Sequence, residues 1–241
     1  MKHRVMMSAL LAIIASPVCA AKLSGPARIL DGNTIEIKQT KIRLSGIDAP
    51  ETDQICLDAH GQKWACGVSA RDELIKHSDG RTWDCYTKGV DEYGGSLGSC
   101  LIAGEDVNAW MVSSGWALSS GRYTHTYVVY EVVASNAYAG IWSGAFIAPW
   151  DWGHRDKGTI IIGASSVPTE AQELLLGSAL LSDPPSPDCL IKGTVGHKSE
   201  RIYHLPGQLG YGQIDMTKKL GDRWLCSEAE AEAKGWRKSA R

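Results

Sequence analysis

The chain has no polybasic tract, no CxxC pair of cysteines and, beyond its first twenty residues, no run of 18 apolar residues. Each absence excludes something. Without such a run, no later segment reads as a membrane-spanning helix. Among its 241 residues, 25 are Lys or Arg and 27 are Asp or Glu; if Lys2 and Arg4 leave with the leader described next, 23 basic stand against 27 acidic, a formal charge of −4. Nucleic-acid binding through bulk charge is therefore excluded, and any phosphate contact has to come from a few placed residues. Without CxxC spacing, a metal site built from Cys189, Cys226, His197 and His204 is poorly supported against plain disulfides.

What is present begins with a three-part leader. A basic start (Lys2, His3, Arg4) precedes an apolar run from Val5 to Ile14 and a small-residue ending at Val18-Cys-Ala20. That is the layout of a secretory signal over residues 1–20, cleaved after Ala20, and the expectation is an exported protein, periplasmic or secreted. A lipid anchor on Cys19 is the rival, but Ser16-Pro-Val precedes that cysteine in place of the usual leucine and small residue. Six cysteines remain, and an even number in an exported chain favours disulfides. If Glu92 and Tyr93 form the tip of a hairpin, Cys85 and Cys100 are equidistant from it and face each other within bonding reach. Cys56 with Cys66 closes a short loop, which leaves Cys189 with Cys226.

Residues 27 to 47 alternate with the two-residue period of half-buried strands: Ala27-Arg-Ile-Leu, Thr34-Ile-Glu-Ile-Lys and Lys41-Ile-Arg-Leu-Ser-Gly-Ile, with Asp31-Gly-Asn33 as the first turn. Helical spacing follows over Val68 to His77, ended by Asp79-Gly80. After the hairpin come a short helix over Asp106 to Ser114 and a longer one over Tyr127 to Tyr138, stopped by Gly140. Five strands capped by helices close most naturally as a small barrel, an α+β fold. Between 156 and 187 the composition turns to Gly, Ser and Pro around one apolar segment, where Thr169 and Gln172 have capping-box spacing; Asp183-Pro-Pro-Ser-Pro reads as a stiff linker. Residues 188–241 form a second, small unit, ended by a helix that Ser227 and Glu230 could cap; at that size it needs its cysteine bridge.

The chemistry concentrates in Asp31-Gly-Asn-Thr34 and Arg43-Leu-Ser-Gly-Ile-Asp-Ala-Pro-Glu-Thr52. Asp48 and Glu51 stand three apart around a proline, with Arg43 on the preceding strand. Two carboxylates and a guanidinium at a strand end suit metal-assisted phosphodiester hydrolysis, where a metal polarises the phosphate, a carboxylate positions water and Arg neutralises developing charge. A surface ion pair at a turn has the same spacing.

From about Lys22 to Trp152 the chain resembles the staphylococcal-nuclease (thermonuclease) family, especially its exported bacterial branch. The resemblance rests on the DGNT turn, IRLSGIDAPET, the DEYG element at Asp91 to Gly94, NAWMVSSGWA (Asn108 to Ala117) and GIWSGAFIAPWDW (Gly140 to Trp152), in that order. It implies a five-stranded OB-type β-barrel with three helices over 22–155, and calcium-dependent cleavage of single-stranded nucleic acid. On the matching positions it makes Arg43 a phosphate-binding arginine and Asp48, with the Ala49 carbonyl, calcium ligands. Glu51 becomes the carboxylate that orients or deprotonates water. Two positions depart from the pattern. Asn33 stands where the family has a second calcium-binding aspartate, and Gly95 where it has a second arginine. Such an arginine is worth about 10³ to 10⁵ in rate in phosphoryl transfer, and an amide brings calcium an oxygen without charge. The implied Ca²⁺ site is thus weakened and the nuclease impaired. Arg81 and Arg122 are the candidates to replace the missing arginine.

The tail resembles the small sunset domain of exported bacterial proteins through Cys189-x-Ile-Lys-Gly193, Ile202-Tyr-His-x-Pro-Gly207, Arg223-Trp-x-Cys-Ser-Glu228 and Gly235-Trp-Arg237. Tyr203, Tyr211, Trp224 and Trp236 could bind a polymer there, though core packing is the commoner role of such residues. The exported branch also includes a thermonuclease-like protein linked to rhizobial succinoglycan (exopolysaccharide) biosynthesis. That resemblance implies a different kind of protein, a non-catalytic accessory whose partner is an anionic polysaccharide or an envelope protein, although no glycosidase-like carboxylate pair is readable.

Overall fold

The computed structural model describes residues 21–121, 125–163, 167–177, 182–216 and 221–240; the leader and Arg122 lie outside them. In chain order the strands of the first part are β1 (Ala21–Pro26), β2 (Arg28–Ile29), β3 (Thr34–Ile37), β4 (Thr40–Leu44), β5 (Ile47–Asp48), β6 (Cys56–Leu57), β7 (Lys63–Trp64), β8 (Thr82–Val90), β9 (Ser96–Ile102), β10 (Glu105–Asp106), β11 (Leu118–Ser119), β12 (Ala145–Ile147) and β13 (Ile161–Gly163). Helices α1 (Cys66–Ser78), α2 (Val107–Ser113), α3 (Val128–Asn136), α4 (Pro149–Trp152) and α5 (Thr169–Glu173) are interleaved with them. The C-terminal part holds β14 (Ile191–Val195), β15 (Arg201–His204), β16 (Arg223–Leu225), α6 (Glu228–Ala233) and β17 (Arg237–Lys238).

The main sheet runs β1-β8-β9-β4-β3-β2, with β10 added to β9, and curls strongly into a half-barrel. The pairs are antiparallel except β4 with β9, where Arg43 lies opposite Leu97. A register shift between Thr87 and Val90 lets the long hairpin bend, as a bulge does. The sheet carries seven strands rather than the five expected. The reason is local: β1 pairs with β8 along its whole length, Leu23 opposite Cys85, and the two-residue β10 folds back on β9.

Alternation along β3, β4, β8 and β9 sends Ile35, Ile37, Ile42, Leu44, Trp83 and Ile102 into one core, closed by Leu74 of α1 and Met111 and Val112 of α2. Helix α1 ends where Asp79 adopts a left-handed conformation (φ 46°) and its N–H reaches the Ile75 carbonyl. Helix α2 starts on Asp106, whose side chain accepts from the Ala109 N–H at 3.1 Å. Its fully buried Asn108 donates to the Ser45 and Gly98 carbonyls, at 2.8 and 3.4 Å, and accepts from the Cys100 N–H at 3.3 Å, which ties α2 to the β4–β9 junction.

Residues 161–163 and 167–176 pack on this body. Strand β13 pairs with β12, and Val167 and Leu175 join Trp152 and Ile147 in a separate apolar cluster. The capping box expected at Thr169 and Gln172 does not form. Pro168 takes the cap position, Thr169 is already helical, and the Gln172 amide donates to the Val167 carbonyl at 2.7 Å. The C-terminal sheet runs β16-β14-β15-β17 around Ile191, Tyr203, Leu225 and Trp236. Tyr203, Trp224 and Trp236 are buried there, as core packing requires; Tyr211 is half-buried. Disulfides join Cys56 to Cys66, Cys85 to Cys100 and Cys189 to Cys226. No helix among the described residues is long and apolar enough to cross a membrane.

Candidate active site

Two tight turns bring the candidate residues together. In the first, the Asn33 N–H donates to Asp31 Oδ1 at 2.9 Å, and a Cβ at Gly32 would stand 2.6 Å from that of Ala49, so only glycine lets this turn lie on the Asp48-Ala49 segment. In the second, the Gln54 N–H donates to the Glu51 carbonyl at 2.7 Å while its amide anchors to the Ile147 carbonyl at 2.6 Å. The first turn of α1 presses against the same backbone: a Cβ on Gly67 would fall 1.6 Å from the Glu51 oxygen. Glu51 is thereby held by packed backbone on two sides.

The side chains converge on Asp48. Its Oδ1 accepts from Arg43 Nη2 at 2.8 Å and from Asn33 Nδ2 at 2.9 Å. Glu51, beside them, finds its partners in the C-terminal part. Lys234, one residue past α6, donates to Glu51 Oε2, and its Nζ lies 3.2 Å from Asp31 Oδ2 and 3.4 Å from Glu230 Oε1. Arg223 on β16 grips the buried Asp53 with Nε and Nη2, at 3.2 and 2.6 Å, and its Nη1 stands 3.6 Å from Glu51 Oε1. Trp152 Nε1 completes Asp53 at 3.1 Å. Glu230, fully buried, accepts from Thr52 Oγ1 and, at 2.8 Å, from the Cys226 N–H. A cleft of about 550 Å³ opens beside this network, with Arg43, Asp48 and Glu51 on one wall, Arg201, Arg223 and Lys234 on the other, and Trp150 near its rim.

The electrostatics follow from burial and partners. Burial alone would raise Glu51, but Arg223, Lys234 and Arg43 outweigh it and hold the carboxyl well below the usual range. Asp48 goes the other way, pushed up to about 6 by burial, with Arg43 and the Asn33 hydrogen bond opposing. Burial would lower Lys234, yet Glu51, Asp31 and Glu230 keep it firmly charged.

The residues present do not fit a calcium ion. Calcium takes six to eight oxygens at about 2.3–2.6 Å. Here Asn33 turns an N–H, not an oxygen, toward Asp48, and an ammonium stands between Asp31 and Glu51. Among the described residues no group of three or more His, Cys, Asp or Glu is arranged to hold a metal.

Gly95 follows the DEYG turn, where its N–H donates to Asp91 Oδ1 at 2.7 Å, and the exposed Tyr93 is met by the tail through Arg201 Nη1, 2.8 Å from its hydroxyl. Arg81 cannot stand in for the missing arginine. It bonds the His77 and Ser78 carbonyls at the far end of α1, a 13-residue helix, whereas Glu51 lies at the near end. Arg223, Lys234, Asp53 and Glu230 were not reachable by motif spacing. The one available signal is charge: Asp31, Asp48, Glu51 and Asp53 crowd one site, of the three cations in the same stretch (Lys38, Lys41 and Arg43) only Arg43 is ion-paired to any of them, and so they call for cations from elsewhere.

The family description "Staphylococcal nuclease homologue" matches residues 41–144, which include Arg43, Asp48, Glu51 and Gly95 but neither Asp31 nor the C-terminal sheet. A succinoglycan biosynthesis protein, ExoI, of Rhizobium meliloti (strain 1021) is 38% identical over 128 residues, 51% of this chain and 66% of that protein. An uncharacterized endonuclease of Escherichia coli O157:H7 is 34% identical over 152 residues, 59% of this chain and 93% of that protein. A micrococcal nuclease of Shigella flexneri is 31% identical over 172 residues, 64% and 93% respectively.

Proposed function

Because the chain belongs to the staphylococcal nuclease family, typically Ca²⁺-dependent and acting on nucleic acid, we propose that it is an exported thermonuclease-like protein with weak or absent phosphodiester hydrolysis. The reading takes its fold as the family's five-stranded OB-type barrel with three helices over 22–155, a connecting segment over 156–187 and a small disulfide-stapled unit over 188–241. The observation that carries it is the state of Glu51. A general base has to accept a proton near neutral pH, and Glu51 is ion-paired to Lys234 and faces Arg223, which stabilise its charged form and strip it of basicity.

The remaining parts agree. Arg43, the candidate phosphate arginine, is committed to Asp48. Asn33 adds no charge to the cation ligands Asp48 and the Ala49 carbonyl, and Gly95 leaves no second guanidinium on that turn. Bound calcium would polarise a phosphoryl oxygen; this chain's own residues orient around Lys234 instead. The test is cleavage of single-stranded DNA and RNA by the disulfide-bonded protein, with calcium or chelator, beside Glu51→Gln. The expected rate is at least about 10³ below that of a family member with both arginines. Comparable calcium-dependent cleavage that Glu51→Gln removes would refute the reading.

One observation favours a second reading, the 38% identity to the succinoglycan biosynthesis protein. On it the chain is a non-catalytic accessory in exopolysaccharide biosynthesis, and the cleft takes an anionic polysaccharide or an envelope protein. Binding of succinoglycan oligomers that leaves Glu51→Gln unaffected, with no cleavage of nucleic acid, would establish it.

A further inference from the structure

We propose that Lys234 is a tethered cation standing in for the divalent ion of related barrels: the C-terminal unit docks by placing a covalently attached ammonium among Asp31, Glu51 and Glu230, and the folded chain is thereby indifferent to calcium. An ammonium has three protons, and three carboxylates surround this one. Buried Asp31 Oδ2 has no hydrogen bond among the described residues; its close contact is the Lys234 ammonium. Lys234 supplies one positive charge and Arg223, at the other oxygen of Glu51, a second, so the tail delivers the charge of a divalent ion as two fixed groups.

The delivery is held rigidly. Ser227 caps α6 by accepting from the Glu230 N–H at 3.1 Å, Glu230 bonds Thr52 on the barrel and the Cys226 N–H behind it, and the Cys189–Cys226 disulfide ties that corner to the segment before β14. Gly235 then turns the chain directly beneath Tyr93, whose ring a Cβ there would meet at 2.8 Å. The inference stands on this geometry whether or not the chain cleaves nucleic acid, and its test does not read cleavage.

The test uses the full disulfide-bonded chain and two readouts. In the first, the unmodified protein is acetylated with an N-hydroxysuccinimide ester, with and without CaCl2 at ~10 mM, above the ~1 mM range of weak calcium sites. Modification is followed by peptide mass spectrometry. Lys234 should react at least about 100-fold more slowly than Lys76, whose side chain is 77% exposed, in both conditions. Equal rates, or release of Lys234 by calcium, overturns the proposal. In the second, calorimetric titration with CaCl2 should show no binding by the unmodified chain and binding in the ~10⁻⁴ to 10⁻³ M range by Lys234→Met. Equal binding by both, or a folded variant that takes up no calcium, overturns it. If Lys234→Met fails to fold, the acetylation rates decide alone.

Discussion

Replacing Arg223 by Met tests the docking of the two parts most directly. Arg223 meets Asp53 across 170 residues with two hydrogen bonds, and the carboxylate is only 2% exposed against 15% for the guanidinium. Removing one partner of a buried pair leaves the other charge uncompensated, at a cost of about 3–5 kcal/mol. For a chain of this size each kcal/mol lowers Tm by about 2–4 °C, so Arg223→Met should melt about 6–20 °C lower. Asp53→Asn removes the charge and keeps a partner for Trp152 Nε1. In the Arg223→Met, Asp53→Asn double variant much of the loss should therefore return, a coupling of about 2 kcal/mol or more by urea unfolding at pH 7. A coupling near zero, or a fall of under 1 kcal/mol in the single variant, would match an exposed pair and refute the docked arrangement.

Glu51 has a depressed folded pKa, so its ion pairs contribute fully above the ordinary glutamate value of 4.5 and are lost as pH falls below it. Glu51→Gln should accordingly flatten the fall of Tm between pH 5 and 3, measured calorimetrically; an unchanged slope excludes Glu51 as a source. Opening Cys189–Cys226, which spans 37 residues, by Ser replacement should cost about 4 kcal/mol from loop entropy and release the C-terminal sheet first, read by amide exchange in β14 to β16. Gly67→Ala should cost about 3 kcal/mol or more, because its Cβ meets backbone and not a movable side chain, and a wild-type melting curve would contradict the packing around Glu51. Asn33→Asp with Gly95→Arg should not restore calcium-dependent cleavage by itself, whereas adding Lys234→Met should. Position 95 accepts a side chain, since its Cβ would meet only the movable Asp91 carboxylate at 2.9 Å; cleavage by the double variant would mean that Lys234 does not hold the site.

Local signals served well where the partner is near in sequence. The spacing of Cys85 and Cys100 about a turn places them opposite each other, and the structure pairs them across β8 and β9. Asp79-Gly80 ends α1, and Ser227 caps α6, because caps are decided by groups within four residues. Signals failed where a distant partner or a neighbouring proline decides. Strand β1 has little alternation of its own and becomes a strand by pairing with β8 about sixty residues on. Residues 161–163 read as linker by composition, yet β12 offers them an edge to pair with. Pro168 outcompetes Thr169 as cap. The same division runs through the site. Arg43, Asp48 and Glu51 come together within one short segment, whereas Lys234 reaches Glu51 across 183 residues.

That distance explains the arrangement of charge. Five acids, Asp31, Asp48, Glu51, Asp53 and Glu230, meet within one buried cluster, and among the described residues outside the C-terminal part only Arg43 is ion-paired to one of them, with buried Arg155 acting on Asp53 from further off. Buried carboxylates without counter-charge either protonate or recruit a cation. Burial raises Asp48 and Glu230, the direction of the first solution, while Glu51 stays ionised by the second. A barrel that met the same need with a diffusible ion would keep its carboxylates open toward solvent and substrate. Here the cations arrive on β16 and at the end of α6, so the groups that neutralise Glu51 also cover it. Neutralising Glu51 and covering it are thus one structural act. Any ligand of the cleft must engage Arg201 and the Arg43–Asp48 pair that also line it, or displace the tail.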